Sequence, residues 1–285
     1  TIPPGVPIRL LVAEDDGSSQ VLLRDYCQEF GYEVDIVDNG RKALKLFGSG
    51  TYDLVLLDIQ LPDMTGLEVA QAIRVSNRIV PILAVSAHAV DGIGEMCLAA
   101  GMSGYLSKPI AMDVFDQTAR RYVARWTRAT PRPAAAPAQA PVDARPAPAA
   151  MAVSKTNPEP VEQVFDISHA LFLVAGNKLS AIRIQDAFLW DVPQRLTRLR
   201  DAFERGDMTL AEREVHSIKG GSLNVGGFRL SKKAVLMLAD LRAGRVSEAR
   251  DCAPALEKEF DDLKQALEQW RRTLAEPESV SVKTG

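Results

Sequence analysis

The sequence predicts two folded units: a doubly wound α/β domain with a five-stranded parallel sheet, then an all-α helical bundle. Three observations carry this. Short apolar runs alternate with amphipathic segments over the first 128 residues. A stretch dominated by alanine and proline follows. Beyond it the strand signal stops and long segments of helical period take over. The expected boundaries are 8–128 for the first domain, 129–160 for a flexible Ala/Pro-rich linker, 161–274 for the bundle and 275–285 for a polar tail.

In the first domain, Ile8 to Ala13 reads as a strand and Ser19 to Phe30 as a helix stopped by Gly31. Glu33 to Val37 is the second strand and Arg41 to Phe47 the second helix. Asp53 to Leu57 is almost continuously apolar, as suits a central parallel strand buried on both faces. Thr65 to Arg74 is a helix, Pro81 to Val85 a strand, and Asp91 to Ala100 a helix closed by Gly101. Gly104 to Leu106 and Met112 to Trp126 complete five βα units. Sheets of this type bind ligands at the carboxyl ends of their strands, and the polar residues of interest fall there. Glu14 and Asp15 follow strand one, Asp58 ends strand three, Ser86 ends strand four and Lys108 ends strand five. Acids converging on one edge repel one another unless a cation joins them, and hard oxygen ligands in a partly open site suit Mg²⁺. Lys108 and the Ser86 hydroxyl would neutralise and orient phosphoryl oxygens. The pattern is that of a site where Asp58 accepts a phosphoryl group.

Between the domains, proline denies backbone donors and breaks helices. Large apolar groups are nearly absent, so the linker cannot bury a core. A coil of this length spans roughly 30 Å. In the bundle, the pattern predicts a short helix over Ile167 to Val174 and a long one over Leu179 to Phe203, kinked or broken at Pro193. Helices over Thr209 to Val225, Phe228 to Arg242 and Val246 to Leu274 follow. The third carries His216, set beside the apolar stripe and expected to point toward water. Lys219 and Gly220 follow at i+3 and i+4, on the histidine's face. A glycine inside a helix costs about 1 kcal/mol relative to alanine, so the pair Gly220-Gly221 needs a reason. Gly220 is expected to give steric clearance beside the imidazole, and Lys219 to add positive charge near a phosphoryl group.

Taken singly, each feature has a plain explanation: a turn-forming aspartate, a helix cap in Glu14-Asp15-Asp16, a surface histidine. Together they resemble known families. The motifs L-V-A-E-D-D at 11–16, L-V-L-L-D-I-Q-L-P-D-M-T-G at 54–66, A-V-S-A at 84–87 and Y-L-S-K-P at 105–109 resemble response-regulator receiver domains, which have a flavodoxin-like fold. The resemblance implies phosphorylation at Asp58 and Mg²⁺ held by Glu14, Asp15, Asp58 and the Gln60 carbonyl. It further implies a cis Lys108–Pro109 bond and Tyr105 as a switch residue. Asp16 is left as a helix-start residue, and Leu61 stands where methionine is more usual. H-S-I-K-G-G-S-L-N-V-G-G at 216–227 resembles the signature of histidine phosphotransfer (HPt) domains, with Gly227 where alanine is more usual. That resemblance covers Phe165 to Leu274 and makes His216 the second phosphoacceptor.

The implied function is a two-component phosphorelay. Asp58 takes a phosphoryl group from an upstream histidine kinase and passes it to His216, which hands it to a downstream receiver. The alternatives are a phosphorylation-dependent binding switch and a phosphate sink, with the bundle as a docking surface. The wording around Lys108 most resembles receivers of hybrid sensor histidine kinases. A start at Thr1 suits a piece of such a protein. No ATP-binding pattern is visible, so the chain is expected to relay rather than to act as a kinase itself. With 34 basic and 37 acidic residues the net charge is −3, and there is no basic stripe for nucleic acid. No apolar run reaches membrane-span length. Three separated cysteines suit a reducing cytoplasm.

Overall fold

The computed structural model describes residues 7–77, 79–86, 93–129 and 163–275. Most of the expected linker and tail lies outside these residues, as do residues 78 and 87–92, including the expected start of a helix at Asp91. In the first domain β1 (Arg9–Ala13), β2 (Glu33–Val37), β3 (Leu54–Asp58), β4 (Ile82–Ser86) and β5 (Gly104–Ser107) alternate with five helices. These are α1 (Gly17–Glu29), α2 (Gly40–Ser49), α3 (Gly66–Ser76), α4 (Ile93–Ala99) and α5 (Met112–Ala129). All neighbouring strands are parallel, in the order β2-β1-β3-β4-β5. The chain reverses its direction of travel across the sheet between β1 and β3, so their carboxyl ends frame the crevice where such folds bind ligands.

Side-chain alternation explains the layering. Leu10, Val12, Leu54 and Leu56 face one way, toward Tyr26 and Phe115, while Leu11, Val55 and Leu57 face the other, toward Val69 and Ile73. β3 and β4 are buried along their whole length, as their unbroken apolar sequences require.

The bundle consists of α6 (Ile167–Leu173), α7 (Lys178–Arg205), α8 (Met208–Asn224), α9 (Phe228–Arg242), α10 (Val246–Asp251) and α11 (Ala253–Ala275). Two expectations change here. α7 runs for 28 residues through Pro193 without a break. Proline removes one helical hydrogen bond, and packing of Phe188, Val192, Leu196 and Leu199 in the core outweighs that loss. The expected last helix is instead two, interrupted at Cys252. Pro254 accounts for this: its ring clashes with a carbonyl four residues back, whereas proline is accommodated in a helix's first turn. Gly226 has φ +76°, and a Cβ there would lie 2.2 Å from the Asp166 carbonyl oxygen. The signature glycine therefore closes α8 against the start of α6.

The two domains are packed together. α1 lies between the sheet and the bundle, touching α7 and α8, and one apolar core runs from Leu10 and Leu23 through to Phe188, Ile218 and Leu263. The Tyr26 hydroxyl lies 2.8 Å from the Ile110 carbonyl and 2.6 Å from that of Leu173, bridging the domains.

Candidate phosphotransfer site

Three strand ends build the receiver half of the site. Glu14, after β1, is 1% exposed and Asp58, ending β3, is 3% exposed. Lys108 follows β5. Its Nζ lies 2.6 Å from Asp58 Oδ2 and 2.7 Å from Glu14 Oε1. Asp58 Oδ1 accepts from the Gln60 N–H at 2.8 Å. Burial raises the pKa of Glu14, with Lys108 pulling it down and Asp58 pushing it up. Burial raises Asp15 to about 6, against the pull of Arg195. Burial alone would lower Lys108, but the carboxylates of Asp58 and Glu14 outweigh it and keep the amine charged. Glu14, Asp15 and Asp58 each bring an oxygen within 4.8 Å of the others. An all-oxygen set of three acids fits a hard divalent cation such as Mg²⁺.

Asp16 belongs to the helix and not to this set. It is the N-cap of α1, accepting from the Ser19 N–H at 2.7 Å. The Lys108–Pro109 bond is cis. Ser86 ends β4, and its carbonyl accepts from the Lys108 N–H at 2.7 Å. Tyr105 is half-buried on β5, packed against the core that contains Ala84 and Cys97.

α8 supplies the other half. From Glu214 to Ser222 every residue is buried, because one side packs on the bundle and the other on the receiver. His216, expected to face water, is 7% exposed. It faces a cleft lined by Glu14, Asp15, Asp16, Asp58, Lys108, His216, Ser217 and Gly220. The helical period located the side of α8 correctly; what covers that side is the other domain. Lys219 is 3% exposed, and its pKa falls to about 8 through burial and the nearby charges of Arg242 and Lys108, with Asp58 opposing.

The paired glycines divide their roles. A Cβ at Gly220 would meet nothing within 4 Å, so the cleft stays open there. One at Gly221 would lie 2.9 Å from Asp16 Oδ1 and 3.3 Å from both Ser18 Oγ and a Phe188 ring carbon. Close approach of the receiver is thus enforced at Gly221, one residue from the position the spacing singled out.

Polar contacts surround this approach. Asn224 Nδ2 donates to Ser18 and Ser19 at 3.1 and 2.9 Å. Arg183 pairs with Asp25 at 2.9 Å, and Arg213 donates to the Pro62 carbonyl at 3.0 Å. Arg195, from α7, reaches Asp15 through both side chain and carbonyl.

Comparison with known proteins follows the same division. Residues 10–120 match the response regulator receiver domain family and 183–271 the Hpt domain family. The polar-differentiation response regulator DivK of Brucella anthropi is 35% identical over 120 residues, covering 41% of this chain and 98% of DivK. The chain belongs to the receiver and Hpt families of two-component signalling. The receiver is also 34% identical to part of the sensor histidine kinase RcsC of Escherichia coli and 36% identical to part of hybrid signal transduction histidine kinase I of Dictyostelium discoideum. These matches cover 41% and 37% of this chain but only 12% and 7% of the two kinases. Among solved structures, the receiver domain of sensor histidine kinase PA1611 from Pseudomonas aeruginosa, which carries a magnesium ion, is 31% identical. It covers 42% of this chain and 99% of its own, with a TM-score of 0.40.

A receiver followed by an Hpt domain has a role in two-component phosphorelay. Among the described residues of this receiver–Hpt chain, no helix is long and apolar enough to cross a membrane. The sequence reading assigned no role to Ser217, Asn224 or Arg195, and flagged Gly221 only as half of a glycine pair. Ser217, Gly221 and Asn224 lie inside the HPt signature, so their proximity to His216 was visible although their cross-domain contacts were not. Arg195 carried no signal beyond an i, i+4 pairing with Asp191.

Proposed function

We propose that this chain is a phosphorelay intermediate in which Asp58 takes a phosphoryl group from a kinase phosphohistidine and passes it to His216 of the same chain. The supporting observation is that Asp58, Lys108 and His216 line one cleft. The lone pair of an imidazole nitrogen attacks phosphorus as the bond from phosphorus to the Asp58 oxygen breaks. Asp58 leaves as a carboxylate, and Lys108, 2.6 Å from Oδ2, stabilises the returning charge. Glu14, Asp15 and Asp58, with the Gln60 carbonyl, would hold Mg²⁺, which supplies positive charge against the phosphoryl oxygens. Ser86 orients those oxygens, Tyr105 reports the state of the site on β5, and Lys219 adds positive charge from α8. His216 then hands the group to a downstream receiver.

We assign the domains to 8–128 and 161–274 and the span to a cytoplasmic portion of a hybrid sensor histidine kinase whose full length can include a membrane anchor. The test mixes Asp58→Asn chains with His216→Gln chains, each able to perform half of the relay. With a tether giving about millimolar effective concentration, the intact chain transfers at a rate independent of dilution, and the mixture transfers slowly with second-order kinetics. A mixture as fast as the intact chain at low micromolar concentration overturns transfer within one chain.

A further inference from the structure

Arg195 sits at the junction of the domains and is 3% exposed. Its Nη2 donates to the Asp15 carbonyl at 2.8 Å and its Nη1 to Asp15 Oδ2 at 3.2 Å. The Ser217 hydroxyl donates to that same oxygen at 3.2 Å. In the docked arrangement the bundle therefore places two donors, one of them cationic, on a carboxylate of the acid cluster. On its own side Arg195 is held by Asp191 through Nε and lies 3.4 Å from Glu214 Oε2. Glu214 is in turn paired with Arg198 and Arg213 at 3.1 Å each.

We propose that Arg195 makes docking of the bundle and binding of a divalent cation at the acid cluster mutually antagonistic. This rests on the reading that Glu14, Asp15 and Asp58 accept such a cation. A carboxylate has two oxygens, so a cation can join Asp15 while Arg195 holds Oδ2. The two positive groups then share one carboxylate in a buried site, where screening is weak. Separation relieves this without stranding a charge: Asp15 keeps the cation, and Arg195 keeps Asp191 and Glu214. The metal-free receiver is thus the form that holds the bundle most tightly through this contact. A phosphoryl group on Asp58 adds negative charge to the same pocket and offsets the repulsion, so the loaded receiver again accepts the bundle. Because coupling is reciprocal, docking weakens cation binding by the factor by which the cation weakens docking.

The experiment is a calorimetric Mg²⁺ titration of the full chain, paired with small-angle X-ray scattering with and without Mg²⁺. The proteins are wild type, Arg195→Gln, Arg195→Lys and Arg213→Ala, with circular dichroism checking that each is folded. The wild-type radius of gyration is expected to rise with Mg²⁺. Arg195→Gln is expected to bind Mg²⁺ about tenfold tighter and to lose that response. Arg195→Lys keeps a positive charge beside Asp15 and so keeps the antagonism, which also covers the case in which the glutamine variant does not fold. Arg213→Ala, which loosens docking at Pro62, keeps a Mg²⁺-dependent expansion. Equal or weaker Mg²⁺ binding by Arg195→Gln overturns the proposal, as does a wild-type scattering profile that ignores Mg²⁺, or a lysine variant that behaves as glutamine does. If no protein binds Mg²⁺, the metal reading fails and the coupling falls with it.

Discussion

The two reactive ends of this chain are built on opposite plans. At the receiver end, buried charges are concentrated: Lys108 holds both Glu14 and Asp58 at 2.6 to 2.7 Å on the rim of a parallel sheet. At the bundle end, α8 offers an imidazole, a single lysine and two glycines on one helix. Strand ends fix side chains rigidly from several parts of the sequence, which is what charge stabilisation needs. A helix presents one nucleophile with room around it, which is what a shared acceptor needs. For the proposed relay, the difference assigns charge stabilisation to the receiver, while the bundle contributes the imidazole and its position.

The sharpest way to break this comparison is to remove each acceptor in turn. Asp58→Asn is expected to reduce phosphoryl uptake from acetyl phosphate to background and so to silence both domains. His216→Gln leaves uptake at Asp58 intact and abolishes only acid-labile, base-stable label on the bundle. Labelling measured after acid and base treatment distinguishes them. Persistent uptake in Asp58→Asn would place the acceptor elsewhere.

Next in size is the glycine pair. Gly221→Ala pushes a methyl group toward Asp16, Ser18 and Phe188, and misplacement by about 1 Å can cost about 10²-fold in rate. A loss of about 10- to 100-fold in Asp58-to-His216 transfer is expected, with uptake at Asp58 unchanged. Gly220→Ala meets open space. It should transfer within about twofold of wild type while gaining about 0.5–1 kcal/mol of stability from helix propensity. Rapid-quench transfer rates and urea unfolding check the pair, and a reversed ranking would return the close contact to Gly220.

The smallest effect concerns Lys219. Its folded pKa, about 8, lies below the ordinary lysine value of 10.5, so between these values the folded chain binds fewer protons than the unfolded chain. Stability attributable to this residue therefore rises with pH from about 8 to 10.5, and below 8 the buried charge is a constant cost of up to about 3 kcal/mol. Lys219→Met should be more stable than wild type at pH 7, with the advantage shrinking above pH 8. Transfer in the wild type should slow modestly as pH rises through 8, toward the rate of the methionine variant. Denaturant unfolding and transfer rates across pH 6.5 to 9.5 measure both. A methionine variant whose transfer rate equals wild type at pH 7 would show that the lysine charge assists nothing.

Much of this was legible along the chain because it is written locally. Short continuous apolar runs and period-3.6 patterns set the strands and helices, and in a parallel sheet every strand end points to the same edge. Glu14, Asp58, Ser86 and Lys108 could therefore be placed together without coordinates. The choice of Asp16 as helix cap followed from spacing, and Asp16 does cap α1. Where local rules competed with packing, the reading slipped. Pro193 was expected to kink or break the helix, yet α7 continues through it without a break, with Phe188 and Leu196 in the core. Pro254 does interrupt the final helix, although Ala249 and Leu256 on either side share one core.

The sequence by itself determined both folds and the grouping of Glu14, Asp15 and Asp58 at one sheet edge, because each depends on residues close in the chain or on the fixed geometry of a parallel sheet; the proposed acceptors Asp58 and His216 were named on the same local signals. Only the tertiary structure decided how the two halves meet. The grip of Arg195 on Asp15 and the Asn224 bridge to Ser18 and Ser19 join residues 180 to 206 positions apart, and burial of His216 and the demand for glycine at 221 come from the same meeting of domains. No local periodicity encodes such pairs. They arise when α1 presents one surface to two helices of the bundle, and the free energy of that contact is shared among apolar area, hydrogen bonds and charges contributed from both sides.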